Sequence, residues 1–294
     1  TDIFKELNKK LAGYWDIYMQ APDKIYANFN DMEEHASSGL WSDYFAEHTH
    51  DEYISSEKRD ATPSGPNSMM SALFEAIVPG GDPLLLWAAD NGGTRYMWRG
   101  TSPFYFLWRR EDAPSQILKE KPALQNAVLF RGAGHAILHS PDLWVAYNGG
   151  WISDKSHANK DLGSFVLTAG EERLVNDPGY GRVNGGGGDT GSHSTVLING
   201  VGQYKGARGK FLRFGSGNKF HYFASDLSGV YNTEIMEKFI RQMIMVDGSY
   251  LVIFDDLQGS QAVEFEWRLQ TRCQVEVKEN QGYIKGEKWN LNVL

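Results

Sequence analysis

Ala127-Val128-Leu129-Phe130-Arg131, His135-Ala136-Ile137-Leu138-His139 and Leu143-Trp144-Val145-Ala146-Tyr147 are three short apolar runs in close succession, separated by Gly132-Ala133-Gly134 and Ser140-Pro141-Asp142. Runs this short, bounded by Gly and Pro, read as strands joined by tight turns. The same texture continues through 163–168, 173–176, 195–198, 219–224, 234–246, 250–255, 262–269, 273–278 and 289–293. Asn148-Gly149-Gly150, Asn199-Gly200 and Asp247-Gly248 punctuate these runs with residues that tolerate turn geometry. Many short strands with frequent turns predict an antiparallel sandwich rather than a parallel sheet.

Before residue 122 the period changes. Ile3, Phe4, Leu7, Leu11, Tyr14, Trp15 and Tyr18 recur at helical spacing, and Pro22 ends the run. A second helix is expected over 67–77, between Asn67 as cap and Pro79-Gly80-Gly81. A third is expected over 83–89, with Asp82 as cap and Pro83 in the first turn. Residues 23–66 are polar and irregular, long enough to suggest a functional loop. The charged, Pro-bearing stretch 111–122 marks the boundary. The chain thus reads as α+β and multidomain, with a helical region over 1–122 and a sandwich over 123–294.

Composition narrows the function. The 294 residues include 29 basic and 37 acidic side chains, net −8, which argues against a nucleic-acid partner. Nine Trp and fourteen Tyr suit a sugar-binding cleft as well as a core. Cys273 is the single cysteine, so no intrachain disulfide framework exists. No apolar run approaches the ~20 residues that span a bilayer, and no membrane partner is expected. A signal peptide is not visible, and the start at Thr1 without Met fits a mature or trimmed form. Nothing in the residues addresses oligomeric state.

The chemistry concentrates in Ser156-His157-Ala158-Asn159-Lys160-Asp161-Leu162-Gly163-Ser164-Phe165. In an extended strand His157, Asn159 and Asp161 would share one face. Asp177-Pro178-Gly179-Tyr180-Gly181 and Ser192-His193-Ser194-Thr195 look built to meet them. His157 suits general acid–base work near neutrality, although a histidine at a strand start is ordinarily a hydrogen-bonded structural group. Asn159, Asp177 and His193 could ligate Zn²⁺ or a harder ion. Equally, Asp177 could cap the turn at Pro178 and His193 could bond a backbone carbonyl. Residues 184–191, with four successive glycines, read as a mobile loop beside this set. His48-Thr49-His50-Asp51 has a metal-like spacing, but a solvated loop explains it better. Arg109, Arg110, Lys155 and Lys160 offer cations that ordinarily belong to the surface.

These three ordered motifs resemble the heparinase II/III-like polysaccharide lyases, a group that includes heparinases and alginate lyases. The resemblance covers the chain well from about residue 127 and the helical part only loosely. It implies a partial α/α toroid before a large antiparallel β-sandwich, and cleavage of uronic-acid polysaccharides by β-elimination between the two domains. It implies that His157 is the sandwich-domain catalytic histidine, and that Asp177 and His193 are ligands of a commonly bound metal, Zn²⁺ or another divalent ion. Asn159 stands where the family carries a further histidine ligand. No organic cofactor is implied. Tyr180, in the turn after Asp177, is a second catalytic candidate, for substrate contact or proton donation. An acidic polysaccharide or oligosaccharide is the implied partner and a periplasmic or secreted location the implied setting; the residues themselves leave a cytoplasmic one open. The helical part is short for a toroid, so the family's catalytic Tyr and carboxylate-neutralising Asn are expected upstream of Thr1. A reading from another class is a non-catalytic carbohydrate-binding or structural sandwich using Trp41, Trp98, Trp108 or Trp151 as a platform.

Overall fold

The computed structural model describes residues 14–15, 17–19, 21–22, 78, 81–91, 121–152, 158–178 and 188–294. The chain divides into two compact units, the second made chiefly of Gln125–Leu294. In the first unit, residues 14–15 and 17–19 are helical, as their spacing predicts. Helix α1 spans Pro83–Asn91. Asp82 caps it, its Oδ1 accepting the N–H groups of Leu84 at 3.0 Å and Leu85 at 3.1 Å. The Tyr14 hydroxyl donates to the other carboxylate oxygen at 2.6 Å, so one aspartate serves both segments. The expected helix over 67–77, the loop 23–66, the 48–51 motif, Arg109, Arg110 and Lys155 lie outside the described residues, as does the rest of the expected toroid.

The second unit is antiparallel throughout its described pairings. Strands β1 (Ala127–Phe130), β2 (His135–His139), β3 (Leu143–Asn148), β4 (Phe165–Ala169) and β5 (Glu172–Val175) form one sheet in chain order. After β6 (Val196–Ile198) come β7 (Lys210–Ser216), β8 (Phe220–Asp226), β9 (Met236–Val246) and β10 (Tyr250–Gly259), a second sheet ordered β10-β9-β8-β7. β11 (Phe265–Trp267) pairs with β6, while β12 (Gln274–Lys278), β13 (Gln281–Lys285) and β14 (Asn290–Val293) make a small third sheet.

The two large sheets share one core. Leu138, Val145, Tyr147, Phe165 and Leu167 from the first pack in one cluster with Phe211, Phe223, Met243 and Met245 from the second. β1 and β4 are buried at every position, which explains their unbroken apolar runs. β9 instead alternates, with Phe239, Arg241, Met243 and Met245 turned inward. An inward large-to-small change such as Leu138→Ala would cost about 2–5 kcal/mol.

The structure departs from the sequence reading in several places, among them the strand expected over 262–269, which is confined to Phe265–Trp267, and the one expected over 250–255, which runs on to Gly259. β7 and β13 were not expected as strands. β7 is largely exposed and bulged between Phe211 and Arg213, and β13 buries only Ile284, so neither carries a strong apolar signal. The strand expected from 163 begins at Phe165, because Ser164 N–H bonds back to the Asp161 carbonyl at 2.9 Å and Gly163 takes φ +87°. Residues 158–164 therefore form a bend and turn rather than an extended strand. The end of the expected mobile loop is built in: Thr190–Ser192 is a 3-10 turn, and the Gly191 carbonyl accepts from Arg268 at 2.8 Å and Gln270 at 3.2 Å.

Candidate functional site

Three buried side chains converge in the second unit. Asp161, Asp177 and His193 present ligand atoms that all lie within 4.8 Å of one another. His193 Nδ1 is 2.9 Å from Asp177 Oδ2. The Ser164 hydroxyl donates to the same oxygen at 2.8 Å, and the Asn148 amide donates to Asp161 Oδ1 at 3.0 Å. Both carboxylates are thus held in place by neutral donors.

Each member arrives by a local device. Asp161 opens the turn that launches β4. Asp177 follows the end of β5, where Asn176 N–H bonds the Gln270 carbonyl at 2.9 Å. His193 is delivered by the 3-10 turn, its N–H bonding the Thr190 carbonyl at 3.1 Å.

Two further side chains clamp these segments together. Gln203 bridges both backbone groups of Leu162, accepting its N–H at 3.0 Å and donating to its carbonyl at 2.6 Å. Arg241, fully buried on the inner face of β9, donates from Nη1 to the carbonyls of Gly163 at 2.6 Å and Ser194 at 3.0 Å. Its Nε and Nη2 reach the two oxygens of Asp255 at 2.8 and 2.6 Å. Burial opposes the guanidinium charge, and the Asp255 carboxylate more than offsets it, leaving the pKa above its ordinary value. One buried ion pair therefore ties the Asp161 turn to the His193 segment.

Of the residues singled out in the sequence, the structure brings Asp177 and His193 together and adds Asp161 to them. Asn159 is also buried, with Oδ1 3.5 Å from the position a Cβ on Gly188 would take. His157 and Tyr180 lie outside the described residues. Lys160 is a surface group, 3.0 Å from Asp189. Sequence reasoning missed Asn148, Ser164, Gln203 and Arg241. Arg241 alone left a signal: a charge at an inward position of an alternating strand.

Two carboxylates and an imidazole, buried and mutually within ligand distance, match the donor set of a Zn²⁺ site. The same Asp177–His193 contact equally orients an imidazole for proton exchange.

The chain matches known proteins in two comparisons. The model of the family "Heparinase II/III-like, C-terminal" matches residues 122–288. Among solved structures, heparan sulfate lyase HepC from Pedobacter heparinus superposes with TM-score 0.58 at 14% identity, covering 94% of this chain and 37% of that one. A heparinase III structure gives TM-score 0.57 at 17% identity, covering 98% and 40%. At such identities the likeness shows the fold. The chain spans less than half the length of these lyases. No curated protein matches it.

Proposed function

We propose that this chain, which belongs to the heparinase II/III-like C-terminal family, is the sandwich-bearing part of a polysaccharide lyase acting on a uronic-acid polymer. The observation that carries the reading is the buried Asp161–Asp177–His193 cluster, set within the family-matched residues. The reaction is β-elimination. A base takes the C5 proton of a uronate, the released electron pair forms the C4–C5 double bond, and the C4–oxygen bond breaks as an acid protonates the leaving oxygen. His157 is the group assigned to proton transfer, as base or acid, and Tyr180 is the second candidate for donating the proton. A phenol near its ordinary pKa of ~10 needs neighbouring positive charge to act as base.

Asp161, Asp177 and His193 would hold Zn²⁺ or another divalent ion, with Asn159 as a neutral oxygen donor at the edge of the set. When bound, such an ion supplies fixed positive charge and cross-links three chain segments. Asn148 and Ser164 hold the carboxylates in place for it. The polymer substrate suits a periplasmic or secreted protein, with 1–122 as the helical part and 123–294 as the sandwich.

The test is the appearance of UV-absorbing unsaturated uronate ends when the full-length protein meets a panel of uronate polymers. His157→Ala should lower that rate roughly 10²–10⁴-fold with the fold intact. Near-normal turnover by the variant rejects the role. A second reading, a non-catalytic sugar-binding sandwich, is favoured by Trp151, which is 47% exposed. It requires sugar binding that survives His157→Ala and no turnover of any polymer.

A further inference from the structure

Three segments of the second unit meet backbone to backbone: the β1–β2 turn, residues 149–152 after β3, and residues 207–211 entering β7. Gly149 N–H bonds the Gly134 carbonyl at 2.8 Å, Gly209 N–H bonds the Gly150 carbonyl at 2.8 Å, and Ile152 N–H bonds the Ala207 carbonyl at 2.9 Å. Trp151 and Arg208 form an antiparallel bridge beside them. Only glycine permits this approach: a Cβ on Gly134, whose φ is +77°, would collide with the Gly150 backbone, and one on Gly150 would lie 2.7 Å from the Ala133 carbonyl oxygen.

This backbone floor underlies a cavity of about 540 Å³. Among the described residues, Arg131, Arg208 and Lys210 line it with Trp151 and Phe211, and no carboxylate does. The Arg208 guanidinium lies over the Trp151 ring, 5.0 Å from its centroid, and Arg131 is steadied by the Phe211 carbonyl at 3.4 Å. Among the described residues, none of the three cations makes an ion pair with a carboxylate. In a chain of net charge −8, three cations around one exposed indole are a local reversal of sign among the described residues.

An indole face offers an apolar platform for the C–H face of a pyranose ring. Guanidinium and ammonium groups beside it bind carboxylate or sulfate through charge-assisted hydrogen bonds. We infer that this cavity is a binding subsite for one anionic sugar residue, which packs against Trp151 while Arg131, Arg208 and Lys210 surround its carboxylate or sulfate. The cavity floor joins the buried cluster through one side chain: Asn148 Oδ1 accepts the Gly150 N–H at 3.3 Å while its Nδ2 donates to Asp161. The identity of the polymer rests on the lyase reading; the subsite itself rests on the cavity.

The experiment is calorimetric titration of the full chain with four probes: a heparin hexasaccharide, a polyuronate hexasaccharide without sulfate, cellohexaose, and a short single-stranded oligonucleotide. At least one acidic hexasaccharide should bind, more weakly as salt rises, and cellohexaose should not. Trp151→Ala and Arg208→Gln should each weaken that binding on the order of tenfold. Their melting temperatures should stay at the wild-type value, because both side chains are exposed. Equal affinity of the variants for the acidic hexasaccharides overturns the subsite, as does equal binding of cellohexaose or tighter binding of the oligonucleotide. Lyase activity is scored separately. Unsaturated ends formed by variants of unchanged affinity sink the subsite alone. Lost affinity in the variants, together with no unsaturated ends from the full-length protein on any uronate polymer, sinks the lyase reading alone.

Discussion

Arg241 shows how much one side chain can organise. It sits between Phe239 and Met243 on the inner face of β9, where an apolar residue would satisfy packing. Its four hydrogen bonds go instead to Asp255 and to the carbonyls of Gly163 and Ser194. Arg241→Met leaves the Asp255 carboxylate without its partner and should destabilise the protein by about 3–5 kcal/mol. Denaturant unfolding measures this, and a loss under about 1 kcal/mol would show that the ion pair does not hold these segments. His135 gives a pH signature of its own. Burial pushes its pKa down to about 4, below the ~6.5 of an unfolded chain. The unfolded state therefore binds the extra proton between those values, so the stability from neutral His135 is present above about pH 6.5 and lost as pH falls toward 4. That loss amounts to about 3 kcal/mol. His135→Gln should flatten the stability profile across that window; an unchanged slope would assign acid sensitivity to other groups.

At the level of elements, the turn from Asp161 to Ser164 is the joint on which the candidate site depends. Gly163 holds φ +87°, and a Cβ there would lie 2.7 Å from Thr195 Oγ1 and 2.8 Å from Leu227 Cδ1. Gly163→Ala combines left-handed strain with overpacking and should cost about 2–4 kcal/mol, while displacing Asp161. A melting temperature within a degree of wild type would mean the turn adapts freely. This turn also marks the limit of what the sequence discloses. The core strands were legible because apolar runs and Gly-rich turns act locally, and β2 has the bounds its five residues suggest. β7 and β13 escaped because exposed strands are fixed by pairing partners, not by their own composition. Asp177 and His193 were legible as ordered motifs. Asp161 was read as one of three alternating residues on a strand, whereas a turn carries it inward to Asp177 and His193. Arg241, Gln203 and Asn148 act across long sequence separations, and only the folded chain brings their partners within reach.

For the whole molecule, the proposed ion has a consequence that does not depend on catalysis. Asp161, Asp177 and His193 come from three separate segments, and their donor atoms converge only when the sandwich is folded. An ion that binds this arrangement and not the unfolded chain must raise global stability by mass action. At about 100 times its dissociation constant the gain is ~2.7 kcal/mol. For a unit of this size each kcal/mol moves the melting temperature by roughly 2–4 °C, so saturating Zn²⁺ should raise it by about 5–10 °C. Asp177→Asn should abolish the shift, because its Oδ2 is the atom that both His193 and Ser164 address. Lys160→Ala, on the surface, should leave it unchanged. Elemental analysis of the purified protein gives the stoichiometry directly. A melting temperature indifferent to Zn²⁺ and to other divalent ions, with no metal retained, would leave Asp161, Asp177 and His193 as a hydrogen-bonded buttress, and the positive charge at the site would then have to come from side chains alone.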